Sequence, residues 1–224
     1  MVQQLTPDTK KEIIYPDSDG KPMAENTVHY EWIVKIKENL EILFSSKDDV
    51  FIAGDLLWYP VEGSVKTCQA PDVMVIFGRP KGRRGSYKQW EENNIAPQVV
   101  FEILSPGNRT KEMTKKLLFY HRYGVQEYYI YNPETVELNG LIRKQEWLEE
   151  IEEINDWVSP HLGIRFELTP DILEIYYPDG RKFLTSLELN QLVEQEHQRA
   201  EQEHEKYQDL LAKLQAKGID INTL

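Results

Sequence analysis

Apolar residues in the first half of the chain change from a helical spacing to a strand-like one. After Asn26, which favours a helix N-cap, they recur three or four positions apart, and this spacing predicts a helix over about 26–44 with one buried face. These positions are Trp32, Ile33, Ile36, Leu40, Leu43 and Phe44. Apolar runs bounded by proline, glycine or polar residues then fill 50–60, 71–78 and 97–104. The pattern predicts one helix followed by three strands.

The second half begins with a helical pattern and returns to short strands. A helix is predicted over about 110–123, with Gly124 as its stop, and a strand over 125–131. A helix that joins two buried strands is a crossover connection, so the strands at 97–104 and 125–131 should be parallel. Short alternating segments over 135–179 predict an antiparallel extension of the sheet.

This pattern divides the chain into three parts. Residues 1–24 are polar and interrupted by prolines, which indicates an N-terminal arm, and residues 25–183 form the α/β domain. Residues 184–224 are dominated by a long helix rich in Glu and Gln, whose seam positions alternate four and three apart. These are Val193, His197, Ala200, His204, Tyr207, Leu211 and Leu214. We expect a coiled-coil contact that makes the protein a homo-oligomer.

Two acids interrupt the apolar strands, Asp72 in the second and Glu102 in the third. A carboxylate in such a run is costly to bury unless it has a partner or a metal. If the two strands are antiparallel, the acids meet at one end of the sheet, where Mg²⁺ or Mn²⁺ could bind between them. Asp55 could extend this site or satisfy backbone N–H groups. In the structural alternative, Asp72 caps a turn and Glu102 pairs with an arginine.

Charge is unevenly distributed along the chain. The formal net charge is −12, yet the segment 79–116 holds nine Lys or Arg against four Glu. A cationic segment near two acids suits a polyanionic substrate that approaches a metal, and the structural alternative is a solvated lysine-rich loop. Its cations are Arg79, Lys81, Arg83, Arg84, Lys88 and Arg109. Tyr87 and Trp90 could stack on bases or pin the loop to the core.

Compartment is indicated by the single cysteine and by the absence of long apolar runs. Cys68 excludes an internal disulfide framework, and the N-terminus lacks the apolar region of a signal peptide. No run approaches the ~20 apolar residues of a membrane span. These features predict a cytoplasmic protein without a membrane partner.

Two stretches make a family resemblance specific. The Pro71-Asp72 pair, followed by FEILSPGNR…KK…FYHRYGVQEYYIYNPE, resembles the Uma-type restriction-endonuclease-like family of the PD-(D/E)XK nuclease superfamily. The similarity covers most of residues 24–178. It implies a restriction-endonuclease-like core, ordered as helix, three strands, helix and strand, with metal-dependent cleavage of DNA.

The resemblance also implies site residues. Asp72 and Glu102 would be the metal-binding acids, and the backbone carbonyl of Ile103 a further ligand. The superfamily motif has lysine two residues after the Glu, where this chain has Leu104. In this family the lysine lies on the next helix, which matches Lys116.

Lys115 competes for that role if the helix is rotated, and Glu112 could instead form an i,i+4 ion pair with Lys116. Two functions follow from these features: an Mg²⁺-dependent endonuclease, or a nuclease-like fold that binds nucleic acid or assembles through its coiled coil. A Ser–His–Asp hydrolase lacks support, because Ser105 has no nucleophile-elbow glycines around it.

Overall fold

Helix α1, Thr27–Leu43, begins where the apolar spacing predicts it. The side chain of Asn26 caps it by accepting the backbone N–H of His29 at 2.8 Å, and the apolar face of the helix is buried. The structure is a computed structural model that describes residues 13–18, 20, 26–107 and 110–216. Most of the predicted arm at 1–24 therefore lies outside the described residues, as does Arg109.

Ten strands, two further α-helices and one 3₁₀ helix follow α1 in the described part of the chain. In order they are β1 Val50–Gly54, β2 Trp58–Tyr59, β3 Val73–Phe77, β4 Tyr87–Lys88, the 3₁₀ helix Gln89–Glu91, β5 Val99–Ile103, α2 Thr110–Arg122, β6 Glu127–Asn132, β7 Glu137–Lys144, β8 Trp147–Glu150, β9 Arg165–Leu168, β10 Leu173–Tyr176 and α3 Ser186–Ala216.

A six-stranded mixed sheet, in the order β1-β3-β5-β6-β7-β8, forms the centre of the fold. Strands β5 and β6 are parallel and joined through α2, which confirms the predicted crossover, while β1, β3 and β5 pair antiparallel. One face packs against α1 and the β9–β10 hairpin, and the other against α2 and the small β2–β4 sheet. The chain thus has the expected α/β core of helix, three strands, helix and strand.

One strand prediction is wrong, and another holds for only part of its range. The run at 50–60 is not one strand, because Asp55 takes a left-handed backbone conformation with φ of +48° and turns the chain between β1 and β2. Strands β7 and β8 confirm the antiparallel extension predicted over 135–179, because they pair antiparallel beyond β6. Strands β9 and β10 do not join that sheet and form a separate two-stranded sheet. The hydroxyl of Tyr131 accepts the Leu173 N–H at 3.2 Å and ties β10 to the face that α1 covers.

The second compact unit, residues 184–224, contains α3. Thr185 and Glu188 form a capping box at its start: the Thr185 backbone N–H donates to Glu188 Oε2 at 2.7 Å, and Thr185 Oγ1 accepts the Glu188 N–H at 3.2 Å. Its apolar seam is largely exposed in the single chain, with Val193 at 66% and Tyr207 at 57%. Over the described residues, no helix combines the length and hydropathy that crossing a bilayer requires.

Candidate active site

Asp72 and Glu102 lie opposite each other at one end of the central sheet. The antiparallel register of β3 and β5 pairs Val73 with Phe101, so the next pair outward is Asp72 with Glu102. Both are almost completely buried, with 7% and 2% of their surface exposed. A carboxylate is rarely buried to this extent without partners. The structure thus brings together the two acids that the sequence singles out.

Asp72 is held by donors from two other elements. Its Oδ2 accepts the backbone N–H of Ile103, at the end of β5, at 2.6 Å. The same oxygen lies 3.0 Å from Nε2 of His29, in the first turn of α1, and His29 is the donor in this contact because an ionised carboxylate only accepts. The predicted role of the Ile103 carbonyl as a metal ligand stays a prediction.

Both oxygens of Glu102 are bonded by side chains of α2. Lys116 Nζ donates to Oε2 at 2.6 Å, and the Tyr120 hydroxyl donates to Oε1 at 2.5 Å. Lys116 and Tyr120 are four residues apart and therefore share one face of the helix. Lysine thus reaches the acid from the helix, as the resemblance implies, and not from the position of Leu104.

Burial determines the charge state of this pair. It raises the pKa of Glu102 to about 7, with the Lys116 ammonium opposing the shift and the Asp72 carboxylate adding to it. Burial would lower the pKa of Lys116, but the Glu102 and Asp72 carboxylates outweigh it and the pKa is raised. Lys116 therefore stays protonated and can stabilise negative charge, whereas a lysine that accepts protons near pH 7 needs a lowered pKa.

Tyr128 places a buried hydroxyl beside the same two acids. Burial first, and then the charges of Glu102 and Asp72, raise the pKa of Tyr128. Its hydroxyl has no hydrogen-bond partner among the residues that the structure describes. A buried polar atom of this kind costs about 1–3 kcal/mol unless water or a ligand satisfies it. The unpaired hydroxyl is therefore a candidate partner for a polar molecule bound near the two acids.

The donor set fits a hard divalent cation. Within residues 13–18, 20, 26–107 and 110–216, no three His, Cys, Asp or Glu side chains converge as metal ligands. Mg²⁺ does not need such a cage, since it is commonly bound by one or two carboxylates together with waters and substrate phosphate. Asp72 and Glu102 supply such a pair, and Tyr128 supplies a hydroxyl that could bond to a coordinated water.

The additional candidates lie at different distances from the acids. Asp55 is a neighbour, because its backbone N–H lies 3.1 Å from the Pro71 carbonyl oxygen and 3.2 Å from that of Asp72. Lys115 is exposed, so α2 turns Lys116 and not Lys115 towards Glu102. The charge of Glu112 contributes to the raised pKa of Lys116, although the close ion pair of Lys116 is with Glu102.

Much of the positive charge of the basic loop 79–94 has partners within the chain. Arg79 and Arg84 each place Nε 2.6 Å from a carboxylate oxygen of Glu92, with 14% and 13% of their side chains exposed. Lys81 Nζ donates to the carbonyl of Phe44, beyond the end of α1, at 2.8 Å. Residue 79 also lies beyond the far end of β3, about 20 Å from Asp72 at ~3.3 Å per residue.

The rest of the loop divides between surface and core. Lys88 lies 3.3 Å from Glu91 at the surface, and Arg83 is exposed. Tyr87 is fully buried and its hydroxyl donates to the Ile95 carbonyl at 2.7 Å, so it pins the loop and is not available for stacking. Contact with nucleic acid stays a prediction for this set of cations.

Sequence reasoning missed three residues of the site: His29, Tyr120 and Tyr128. His29 is 43 positions from Asp72, and no local spacing connects the two. Tyr120 carried a usable signal, because it follows Lys116 by one helical turn. Tyr128 lies in a strand buried on both faces, and from sequence alone a tyrosine in such a strand is interpreted as a packing residue.

Comparison with known proteins places the chain in a family. Residues 7–175 match the Uma2 family, described as "Putative restriction endonuclease". Among solved structures, a "putative nuclease belonging to DUF820" from Anabaena variabilis is similar at 18% identity, covering 60% of this chain and 72% of its own, with a TM-score of 0.45. No curated protein matches the chain. The family match spans most of the sequence, and the chain belongs to the Uma2 family.

Proposed function

We propose that the protein is a metal-dependent DNA endonuclease of the cytoplasm that hydrolyses phosphodiester bonds at the Asp72–Glu102 site. One observation carries the proposal: two buried carboxylates face each other at the end of the sheet, and the Lys116 ammonium lies 2.6 Å from one of them. Membership of a restriction endonuclease family supports nuclease chemistry in general. The metal, the DNA substrate and the residue roles are the proposed parts.

Each residue has a distinct part in this proposal. Asp72 and Glu102 would hold Mg²⁺ or Mn²⁺, and the cation would supply Lewis-acid polarisation of a phosphoryl oxygen and acidification of a water. Lys116, held cationic by its neighbours, stabilises the negative charge that develops on the phosphate. Tyr120 fixes Glu102 through its hydroxyl. Because burial and Lys116 oppose each other at Glu102, the acid ionises near neutral pH, where it becomes a metal ligand.

The test is nicking of supercoiled and single-stranded DNA in Mg²⁺ or Mn²⁺. Asp72→Ala and Glu102→Ala should abolish cleavage, and Lys116→Ala should reduce it about 100-fold or more, as expected when one stabiliser of developing charge is lost. Lys115→Ala is the matched control, since that side chain is exposed on the same helix and should retain full activity. Wild-type protein that cuts neither substrate with either metal would refute the proposal.

A non-catalytic binding or assembly module is the second candidate. It is favoured by Leu104 in the motif position and by the internal donors that Asp72 and Glu102 already have. Calorimetric titration with Mn²⁺ separates the two functions. The endonuclease should bind Mn²⁺ and lose it in the Asp72→Ala/Glu102→Ala double variant. A binding module should retain DNA binding when Glu102 is replaced by alanine.

We also propose that α3 joins two or more copies of the chain. Its seam residues recur in a four-three pattern from Val193 to Leu214 within the 31-residue helix, and several of its apolar side chains are exposed in the single chain. An isolated charged helix gains little stability by itself, which favours a partner helix.

A further inference from the structure

A histidine outside the family's acid and lysine positions lies in contact with the site. His29 is in the first turn of α1, is 8% exposed, and places Nε2 3.0 Å from Oδ2 of Asp72. We propose that His29 is a positioning residue that fixes the Asp72 carboxylate for the metal. This inference rests on the proposed metal-dependent function and adds α1 to the elements that build the site.

The contacts at Asp72 define what His29 does. The Ile103 N–H and the His29 Nε2–H both bond to Oδ2, from β5 on one side and α1 on the other. Two donors from different elements on one oxygen fix the plane of the carboxylate. Oδ1 is then the oxygen that would be offered to a cation. A carboxylate that is held before the metal arrives loses less conformational freedom on binding.

The backbone of Asp72 is fixed as well. Its carbonyl accepts the N–H of Asp55 at 3.2 Å, where the left-handed turn after β1 begins. The turn after β1, strand β5 and helix α1 thus each contact Asp72, and His29 is the side chain through which α1 does so.

The start of α1 does not itself require an imidazole at position 29. The capping bond from Asn26 is made to the backbone N–H of His29, so any residue at this position would receive it. A His that served only to fill the core could be replaced by an apolar residue of similar size with little effect on metal. A positioning His could not, and loss of a residue that orients a metal ligand typically costs about 10- to 100-fold in metal affinity.

The experiment measures Mn²⁺ affinity of the full-length protein by calorimetry at pH 8. His29→Leu removes the donor and should weaken binding about 10- to 100-fold. His29→Gln carries an amide N–H that reaches about as far as Nε2 and should restore affinity to within about threefold of wild type. His161→Leu is the matched control: His161 also bonds a buried carboxylate, Glu127, but at the other end of the sheet, and it should leave Mn²⁺ binding unchanged.

The outcomes distinguish this inference from the proposed function. If wild-type protein binds no Mn²⁺, the metal-dependent function itself fails. If wild type binds and folded His29→Leu binds equally well, the positioning role is refuted while the function stands. If His29→Leu does not fold, His29→Asn replaces it, because an Asn amide ends near the Nδ1 position and falls short of Asp72. Wild-type affinity in His29→Asn would then refute the inference.

Discussion

Replacing Glu102 by glutamine should remove a loss of stability that the metal-free wild-type protein undergoes as the pH rises. Glu102 has a folded-state pKa of about 7 against an ordinary value of 4.5. At about 1.4 kcal/mol for each unit of pKa, ionising it in the folded protein lowers the free energy of unfolding by about 3 kcal/mol. Glutamine keeps an acceptor for Lys116, and its NH₂ group can donate to the Tyr120 oxygen, so the contacts survive without the charge.

The direction of this pH dependence follows from the number of protons that the folded and unfolded states bind. Between pH 4.5 and 7 the folded protein holds the Glu102 proton and the unfolded chain has released it, so this contribution to stability is complete below 4.5 and lost as pH rises to 7. Urea unfolding from pH 5 to 8 in EDTA measures it as the difference between wild type and Glu102→Gln, which cancels the other titrating groups. The difference should grow by about 2 to 3 kcal/mol over that range.

Binding of Mn²⁺ should restore the stability that ionised Glu102 costs the wild-type protein, and it should not do so in Glu102→Gln. At pH 8, Mn²⁺ at a hundred times its dissociation constant stabilises a protein that binds it by about 2.7 kcal/mol. Glu102→Gln lacks one of the two proposed ligands and should gain much less. Two results would contradict this reasoning: pH profiles for wild type and variant that run parallel, or equal stabilisation of both proteins by Mn²⁺.

Three further predictions concern other parts of the molecule. Tyr128→Phe removes an unpaired buried hydroxyl and should raise the free energy of unfolding of the metal-free protein by about 1 kcal/mol or more in urea; a decrease would show that the hydroxyl is bonded in solution. Glu127→Gln disturbs a fully buried carboxylate that accepts from Tyr129, Ser159 and His161, and should cost about 2 to 3 kcal/mol in urea while leaving Mn²⁺ affinity unchanged. Truncation after Phe183 should reduce the mass in sedimentation equilibrium from an oligomer to a monomer, and an unchanged mass would exclude α3 as the contact.

The sequence predicted the parts of the fold that depend on local pattern. Helix α1, strands β3 and β5, and the crossover through α2 all follow from periodicity and from the proline and glycine residues that bound them. The partners of β9 and β10 could not be predicted this way, because strand pairing depends on packing between distant segments. The break after β1 depends on a left-handed backbone conformation at Asp55. Aspartate tolerates this conformation, but its presence in a sequence does not predict it.

The residues of the candidate site likewise include some that local sequence pattern predicts and others that it does not. Two acids in apolar strands were visible because burying them is costly, and antiparallel pairing brings them to one end of the sheet. The partners of the loop cations were not, because Glu92 becomes the shared acceptor of Arg79 and Arg84 only after the loop folds back. The contact of His29 with Asp72 needs the packing of α1 on β3 and has no signature within either segment.

Because the Lys116 ammonium comes from α2, the contact between Lys116 and Glu102 depends on how α2 packs against the sheet. A lysine on β5 would travel with the acid along one continuous backbone. Here a screw motion of α2 by a single residue would rotate Lys116 and Tyr120 together by about 100°, releasing both oxygens of Glu102 at once. Substitutions on the apolar face with which α2 packs against the sheet could thus abolish activity, although every polar residue of the candidate active site would still be present.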